Sequence, residues 1–326
     1  MVHTRGLNFV KWKRTRSKVN DMLWIVQKDL WDEEGYLGFV RALDRMDKEY
    51  LIIKPVPFTN KIMPADFDSF AQDISEVEEP QIDTDQKIMA FGATSLTRIA
   101  KAKGWYPGTY MNENFTYEKW SEGFGKENIL NPDSIVQRLG DYFDLSGFEG
   151  DSVFVRPVLD SKTFNGEVKS KYDFKDWQQS IKFMDDFMAD ELVDIPLLNK
   201  DTIIAVASAK KIYSEYRLFV VDRTIVAASM YKLGSDLTIT ADVDQHILWF
   251  AQGMIQTWRP AQAFVMDIAD TPDGPKVIEI NNINSAGFYA CDPQAIIEAL
   301  EGLVRSALTD EEMEIGVKNG IRGIQI

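Results

Sequence analysis

The spacing of apolar and polar positions changes several times along the chain, and each change marks a new element. Met22-Leu23-Trp24-Ile25-Val26 is a continuous apolar run of strand length, 35–46 carries apolar residues at helical spacing, and Tyr50-Leu51-Ile52-Ile53 is a second strand-like run. These predict a βαβ-like opening. Residues 64–86 are acidic and interrupted by Pro64 and Pro80, which predicts a long surface excursion. Lys87-Ile88-Met89-Ala90-Phe91 predicts a third strand, turning through Gly92 into a helix that Ser95 would cap and that ends near Gly104. The pattern from 107 to 150 is mixed, with a helical stretch expected at 132–143. The first hundred or so residues thus predict a small α/β domain of parallel type.

In the second half, strand-like runs fall at 152–157, 203–207, 216–221, 225–230, 263–268 and 276–280, and helical patterns at 173–192, 243–257 and 293–308. Hairpins separated by helices predict a largely antiparallel sheet with helices on one side, an α+β arrangement. The last hairpin turns through Asp270-Thr271-Pro272-Asp273-Gly274. If it is symmetric about Asp273, Asp267 faces Glu279. The strand period of two then puts Asn281 beside them on the same face.

Composition narrows what such a face can do. The 326 residues are 45% hydrophobic, enough for a full core in two modest domains or one large α/β unit. No stretch approaches the roughly 18 apolar residues of a membrane span, and the basic N-terminus lacks the apolar run of a secretory signal, so the expected compartment is the cytoplasm. Cys291 is the sole cysteine, and His3 and His246 are the only histidines, which leaves no material for a disulfide, a His/Cys zinc site or a serine triad. A metal here must use oxygen ligands. The net charge of −15 disfavours nucleic acid as the main partner, although residues 1–20 carry Arg5, Lys11, Lys13, Arg14, Arg16 and Lys18 with no acid. That stretch reads as a solvated tail, with contact to RNA or an acidic partner as the alternative.

Like charges directly opposite in a sheet destabilise it by up to about 1 kcal/mol, so Asp267 and Glu279 call for a positive group between them. Magnesium takes octahedral oxygen coordination from one or two carboxylates plus phosphates, which matches Asp, Glu and Asn. An exposed hairpin face with solvated carboxylates is the competing explanation. Gly92-Ala93-Thr94-Ser95 lacks the spacing and the lysine of a phosphate loop and reads as a plain strand-to-helix turn. Cys291 reads as a small buried residue, not a nucleophile.

Three motifs carry a resemblance. Glu279-Ile280-Asn281-Asn282-Ile283-Asn284-Ser285-Ala286-Gly287 resembles the terminal metal-binding motif of ATP-grasp ligases. Glu215-Tyr216-Arg217-Leu218-Phe219-Val220-Val221 is similar to their acid-x-Arg hairpin, and Val153-Phe154-Val155-Arg156-Pro157 with Lys162-Thr163-Phe164-Asn165-Gly166 to their phosphate-facing strand and loop. The chain resembles in particular the clade defined by two arginines and one lysine, many of whose members come from phages and bacteria; if phage-encoded, it would work in the bacterial host cytoplasm.

The resemblance covers about 150–300 and implies an ATP-grasp fold preceded by a small α/β pre-ATP-grasp domain. Its expected divisions are a basic tail at 1–21, the pre-ATP-grasp domain at 22–115, the ATP-grasp domain at 116–308 and a C-terminal tail at 309–326. It implies ATP and magnesium as cofactors, with Asp267, Glu279 and Asn281 on the metal, Arg156 on ATP phosphates or adenine, Lys162 on phosphates, Arg217 on the transferred phosphoryl group, Glu215 orienting Arg217 or lining the nucleotide site, and Ala205-Val206-Ala207-Ser208 as the adenine hinge. Where the family often has a glycine in the turn after the arginine strand, this chain has Asp222-Arg223, which predicts a longer loop or a different turn type. The implied activity joins a small-molecule or peptide carboxylate to an amine. Phosphoryl transfer to a small molecule, or nucleotide binding without catalysis, would use the same residues.

Overall fold

The computed structural model describes residues 22–28, 34–57, 59–68, 72, 73, 75, 77–158, 164, 166–188 and 198–318. The basic stretch 1–21, the tail from 319 and Lys162 lie outside the described residues.

The opening third is a five-stranded sheet of β1 (Leu23–Gln27), β2 (Tyr50–Pro55), β3 (Ile62–Pro64), β4 (Ile88–Phe91) and β5 (Pro107–Gly108), in the order β3-β2-β1-β4-β5. Apart from the antiparallel β2–β3 pair, its strands are parallel. Side-chain alternation along β1 explains its unbroken apolar run. Trp24 and Val26 join a core with α1 (Glu34–Arg45), while Leu23 and Ile25 join a second core with α2 (Thr94–Ala102). The turn into α2 is tight, because a Cβ on Gly92 would lie 2.7 Å from Gln27 Cβ. Ala93, not Ser95, is the N-cap of α2, and its N–H donates to Gln27 Oε1 at 3.1 Å.

After α3 (Tyr117–Phe124) the chain builds two antiparallel sheets where the sequence predicted one. The smaller, in the order β6-β9-β7-β8, comprises β6 (Ile135–Arg138), β7 (Ser152–Pro157), β8 (Glu167–Ser170) and β9 (Ile203–Ser208). Val153 and Val155 pack with Phe174 of α4 (Lys171–Met188), which leaves Phe154 and Arg156 on the opposite face. The helix expected at 132–143 is instead strand β6 followed by a turn. Leu139 and Phe143 are both buried in this core, and their spacing of four imitates a helical stripe. Backbone pairing of β6 with β9 decides the outcome.

The larger sheet holds β10 (Ser214–Val221), β11 (Thr224–Leu233), β12 (Asp236–Thr240), β13 (Ala263–Asp270) and β14 (Lys276–Asn281), in the order β12-β11-β10-β13-β14. Tyr216, Leu218, Val220, Phe264 and Met266 pack on one face against α3 and α5 (Gln245–Thr257). On the other face Phe219, Val221, Ala263 and Val265 meet α1, α6 (Pro293–Lys318) and the first sheet in one continuous core. Helix α6 thus runs beyond the expected 308. Four phenylalanines from different elements stack at the centre of that core. Phe288 lies 5.3 Å from Phe39, 5.2 Å from Phe91 and 5.7 Å from Phe219, with ring planes within 18° of parallel. Among the described residues, no helix is long and apolar enough to cross a membrane.

Candidate active site

The hairpin β13–β14 brings Asp267 opposite Glu279 and Val265 opposite Asn281, the register expected from symmetry about Asp273. A bulge interrupts the pairing just beyond Asp267, where Ile268 faces Val277 and Ile278 is the extra residue. On the other flank Arg217 of β10 faces Asp267. One row across the sheet therefore reads Ser229, Arg217, Asp267, Glu279.

Two like charges in this row are held by two arginines. Arg217 grips Asp267 in a fork, with Nε to Oδ1 at 2.9 Å and Nη2 to Oδ2 at 2.7 Å, and its Nη1 donates to the Gly287 carbonyl at 3.3 Å. Arg156 reaches across from β7 to Glu279, with Nη2 and Oε2 2.7 Å apart. Between the carboxylates, Asn281 Nδ2 donates to Glu279 Oε1 at 2.9 Å and to Asp267 Oδ2 at 3.3 Å.

Burial separates the two acids. Asp267 is 1% exposed, and burial, with Glu279 adding to it, pushes its carboxyl up to about 6 against the pull of Arg217. Burial also opposes charge on Glu279, but Arg156, Asn281 and Arg217 outweigh it and hold this carboxyl below its ordinary range. The Cys291 thiol, pushed up to about 12 chiefly by burial, is no nucleophile.

Beside the row a cleft of about 400 Å³ opens between the two antiparallel sheets. Phe154, Arg156 and Val168 form one wall; Glu215, Tyr231, Lys232, Glu279 and Asn281 form the other; Phe115, Tyr117 and Trp120 close it from the segment around α3. Glu215 accepts from Tyr231 Oη at 2.7 Å and Lys232 Nζ at 2.9 Å.

The residues expected from the sequence divide into two groups. Arg156, Glu215, Glu279 and Asn281 line the cleft, whereas Asp267 and Arg217 lie behind it, Arg217 with a side chain 12% exposed. Ser208 faces away. Its hydroxyl accepts from the Glu149 N–H at 3.1 Å and its own N–H donates to Asp133 Oδ2 at 2.9 Å, so within β9 the cleft-side face belongs to Ala205 and Ala207, opposite Arg156 and Phe154. Sequence reasoning missed Lys210, Tyr231 and Lys232, all of which line the cleft. Lys232 was detectable only as a strand residue facing Glu215 across the β10–β11 hairpin, a pairing displaced by a bulge next to Tyr216.

The donor set fits a hard cation. Among the described residues no three His, Cys, Asp or Glu side chains converge, so such an ion would rest on two carboxylates, an amide oxygen and oxygens of a bound ligand, which is how magnesium is commonly held. The nitrogen of Asn281 already sits where both carboxylates attract positive charge, and turning the amide over presents its oxygen instead.

A family model matches residues 136–300, just over half of the chain; it describes the ATP-grasp domain, family 3 of the clade named for two arginines and one lysine. The chain belongs to this ATP-grasp family. Solved structures agree on the fold. D-alanine–D-alanine ligase from Bacillus anthracis, complexed with ATP, aligns over 90% of this chain and 99% of its own with a TM-score of 0.54 and 12% identity. D-cycloserine synthetase DcsG aligns over 86% and 99% with a TM-score of 0.53 and 12% identity. No curated protein matches the sequence. The ATP-grasp fold of this protein accordingly comprises the two antiparallel sheets that face each other across the cleft, with the parallel sheet as the small preceding α/β unit.

Proposed function

We propose that this ATP-grasp protein is an ATP- and magnesium-dependent ligase that joins a carboxylate to an amine through an acyl phosphate. The observation that carries the reading is the gathering of Asp267, Glu279 and Asn281 on one face of a hairpin at a cleft whose opposite wall offers Arg156. The solved structures that share the fold include a D-alanine–D-alanine ligase complexed with ATP and a D-cycloserine synthetase.

In this reading Asp267, Glu279 and Asn281 would hold a magnesium ion, which when bound would supply positive charge against the phosphate oxygens. Arg156 turns from Glu279 to phosphate oxygens, which its planar fork suits. Lys162 joins it by resemblance to the family. Arg217 stays behind Asp267 and fixes its orientation, a positioning role and not a contact with the transferred group. The apolar and aromatic cleft walls, Phe154, Phe115 and Trp120, exclude water that would hydrolyse an activated acyl group. A substrate carboxylate oxygen attacks the γ-phosphorus, the bond to the β-phosphate oxygen breaks, and ADP leaves. The amine nitrogen then attacks the acyl carbon, phosphate departs, and the nitrogen gives up a proton. We also propose that 22–115 form the pre-ATP-grasp domain, 116–308 the ATP-grasp domain, and that the protein works in the cytoplasm on amino acids or peptides.

The test is ATP consumption against pooled amino acids and peptides carrying ¹⁸O in their carboxylates. Ligation transfers one ¹⁸O into phosphate and yields a condensation product by mass spectrometry. A stable phosphorylated product formed without any amine would overturn ligation in favour of phosphoryl transfer.

A further inference from the structure

Arg217 is the buried cation of the site, and besides Asp267 two tyrosine rings pack on it. Its guanidinium lies 5.0 Å from the Tyr289 ring centroid and 5.8 Å from that of Tyr231, and the two rings stack on each other at 4.8 Å and 12°. Tyr231 is the inner ring, tied by its hydroxyl to Glu215. Tyr289 is the outer ring, 38% exposed.

Tyr289 has φ +50°, the left-handed region that an aromatic residue seldom adopts and that glycine adopts freely. Its neighbours account for the conformation. Phe288 is locked in the phenylalanine stack on one side; on the other the Ala290 N–H donates to Ser229 Oγ at 3.2 Å and Cys291 is buried. With both flanks anchored, the left-handed turn at 289 swings the ring over Arg217. A glycine would satisfy the backbone with less strain, so the ring itself needs a reason. Strained conformations of this kind concentrate at functional sites.

We infer that Tyr289 is a positioning residue, its ring clamping Arg217 against Asp267 and shielding that ion pair from water. The clamp explains an asymmetry between the arginines. Arg156, with a side chain 25% exposed, is free to move to an anionic ligand, while Arg217 remains with its carboxylate throughout. The importance of the clamp for metal binding rests on the ligase reading above; the clamp itself does not.

The experiment compares full-length wild type with Tyr289→Gly, Tyr289→Asn and Tyr289→Phe, glycine and asparagine being suited to the left-handed backbone. The first readout is hydrogen exchange of the Arg217 Nε–H by NMR. Exchange should quicken at least about tenfold in the glycine and asparagine variants, without a lower melting temperature, and stay near wild type in the phenylalanine variant. The second readout is Mn²⁺ binding to the nucleotide-free protein, expected to weaken by about tenfold in the same two variants and to be restored by phenylalanine. Unchanged Arg217 exchange in either folded ring-less variant overturns the inference. If Arg217 responds as expected but the wild type binds no Mn²⁺, the metal reading fails and the clamp stands.

Discussion

Replacing Arg156 by glutamine should move two binding events in opposite directions. In the protein without ligands Arg156 occupies Glu279 at 2.7 Å, so an entering cation must first displace it. Unit charges about 4 Å apart attract by roughly 4 kcal/mol at an effective dielectric near 20. Both side chains are a quarter exposed, which reduces this toward the roughly 1.5–3 kcal/mol typical of a hydrogen bond to a charged group. At about 1.4 kcal/mol per tenfold, Arg156→Gln should bind Mn²⁺ about 10- to 100-fold more tightly than wild type when no nucleotide is present. The same variant should bind the metal–nucleotide complex more weakly, because the fork meant for phosphate is gone. Isothermal titration of Mn²⁺ and then of Mn²⁺ with a non-hydrolysable ATP analogue measures both. A variant that binds bare Mn²⁺ no better than wild type would refute the displacement, and with it the view of Arg156 as a stand-in cation.

Three further outcomes are expected. Asp267 is held up to about 6, so Mn²⁺ affinity measured by titration should fall by about tenfold per pH unit below 6 as this carboxyl takes up the competing proton. For stability the sign is reversed: its raised value favours the folded protein at pH near 4 and the contribution fades as pH rises through 6, whereas that of Glu279, held low, fades as pH falls. Asn284 is fully buried, donating to the Ala90 carbonyl at 2.8 Å and accepting from the Tyr110 N–H at 2.9 Å. Asn284→Ala orphans both backbone groups and should cost about 3 kcal/mol in urea unfolding; a loss below about 1 kcal/mol would mean that the first sheet is not anchored there. Asp222 and Arg223 form a two-residue turn with φ +43° and +66°, so Arg223→Gly should raise stability by about 0.5–1 kcal/mol, read from the denaturation midpoint.

That turn shows how sequence and structure part company. Asp222-Arg223 predicts a longer loop or a different turn type, and the chain takes the second course, closing the tight hairpin with two strained residues. The Asp267–Glu279 register was legible because a strand has period two and the Pro-Asp-Gly turn fixes its centre. The βαβ opening was legible because both faces of β1 are buried and the run is wholly apolar. What stayed hidden depends on partners far away in sequence. Whether the antiparallel strands form one sheet or two is decided by pairings such as Ile135 with Val206, and no local pattern reports it. The burial of Arg217 is equally silent, since the rings that cover it come from 231 and 289. Strands β8 and β12 and helix α3 are short, and their exposed or mixed composition carries no clear period.

The stacked phenylalanines bear on how the molecule can move. Phe39, Phe91, Phe219 and Phe288 come from α1, β4, β10 and the loop after β14, so the parallel sheet and the larger antiparallel sheet share one interior and travel as one body. The smaller sheet has an interior of its own, closed by Phe174. Among the described residues that interior shares no side chain with the other cores, so this lobe, which carries Arg156, can swing without tearing one. Opening the cleft and breaking the Arg156–Glu279 pair are then a single motion, with the hairpin bearing Asp267 and Glu279 as the fixed jaw.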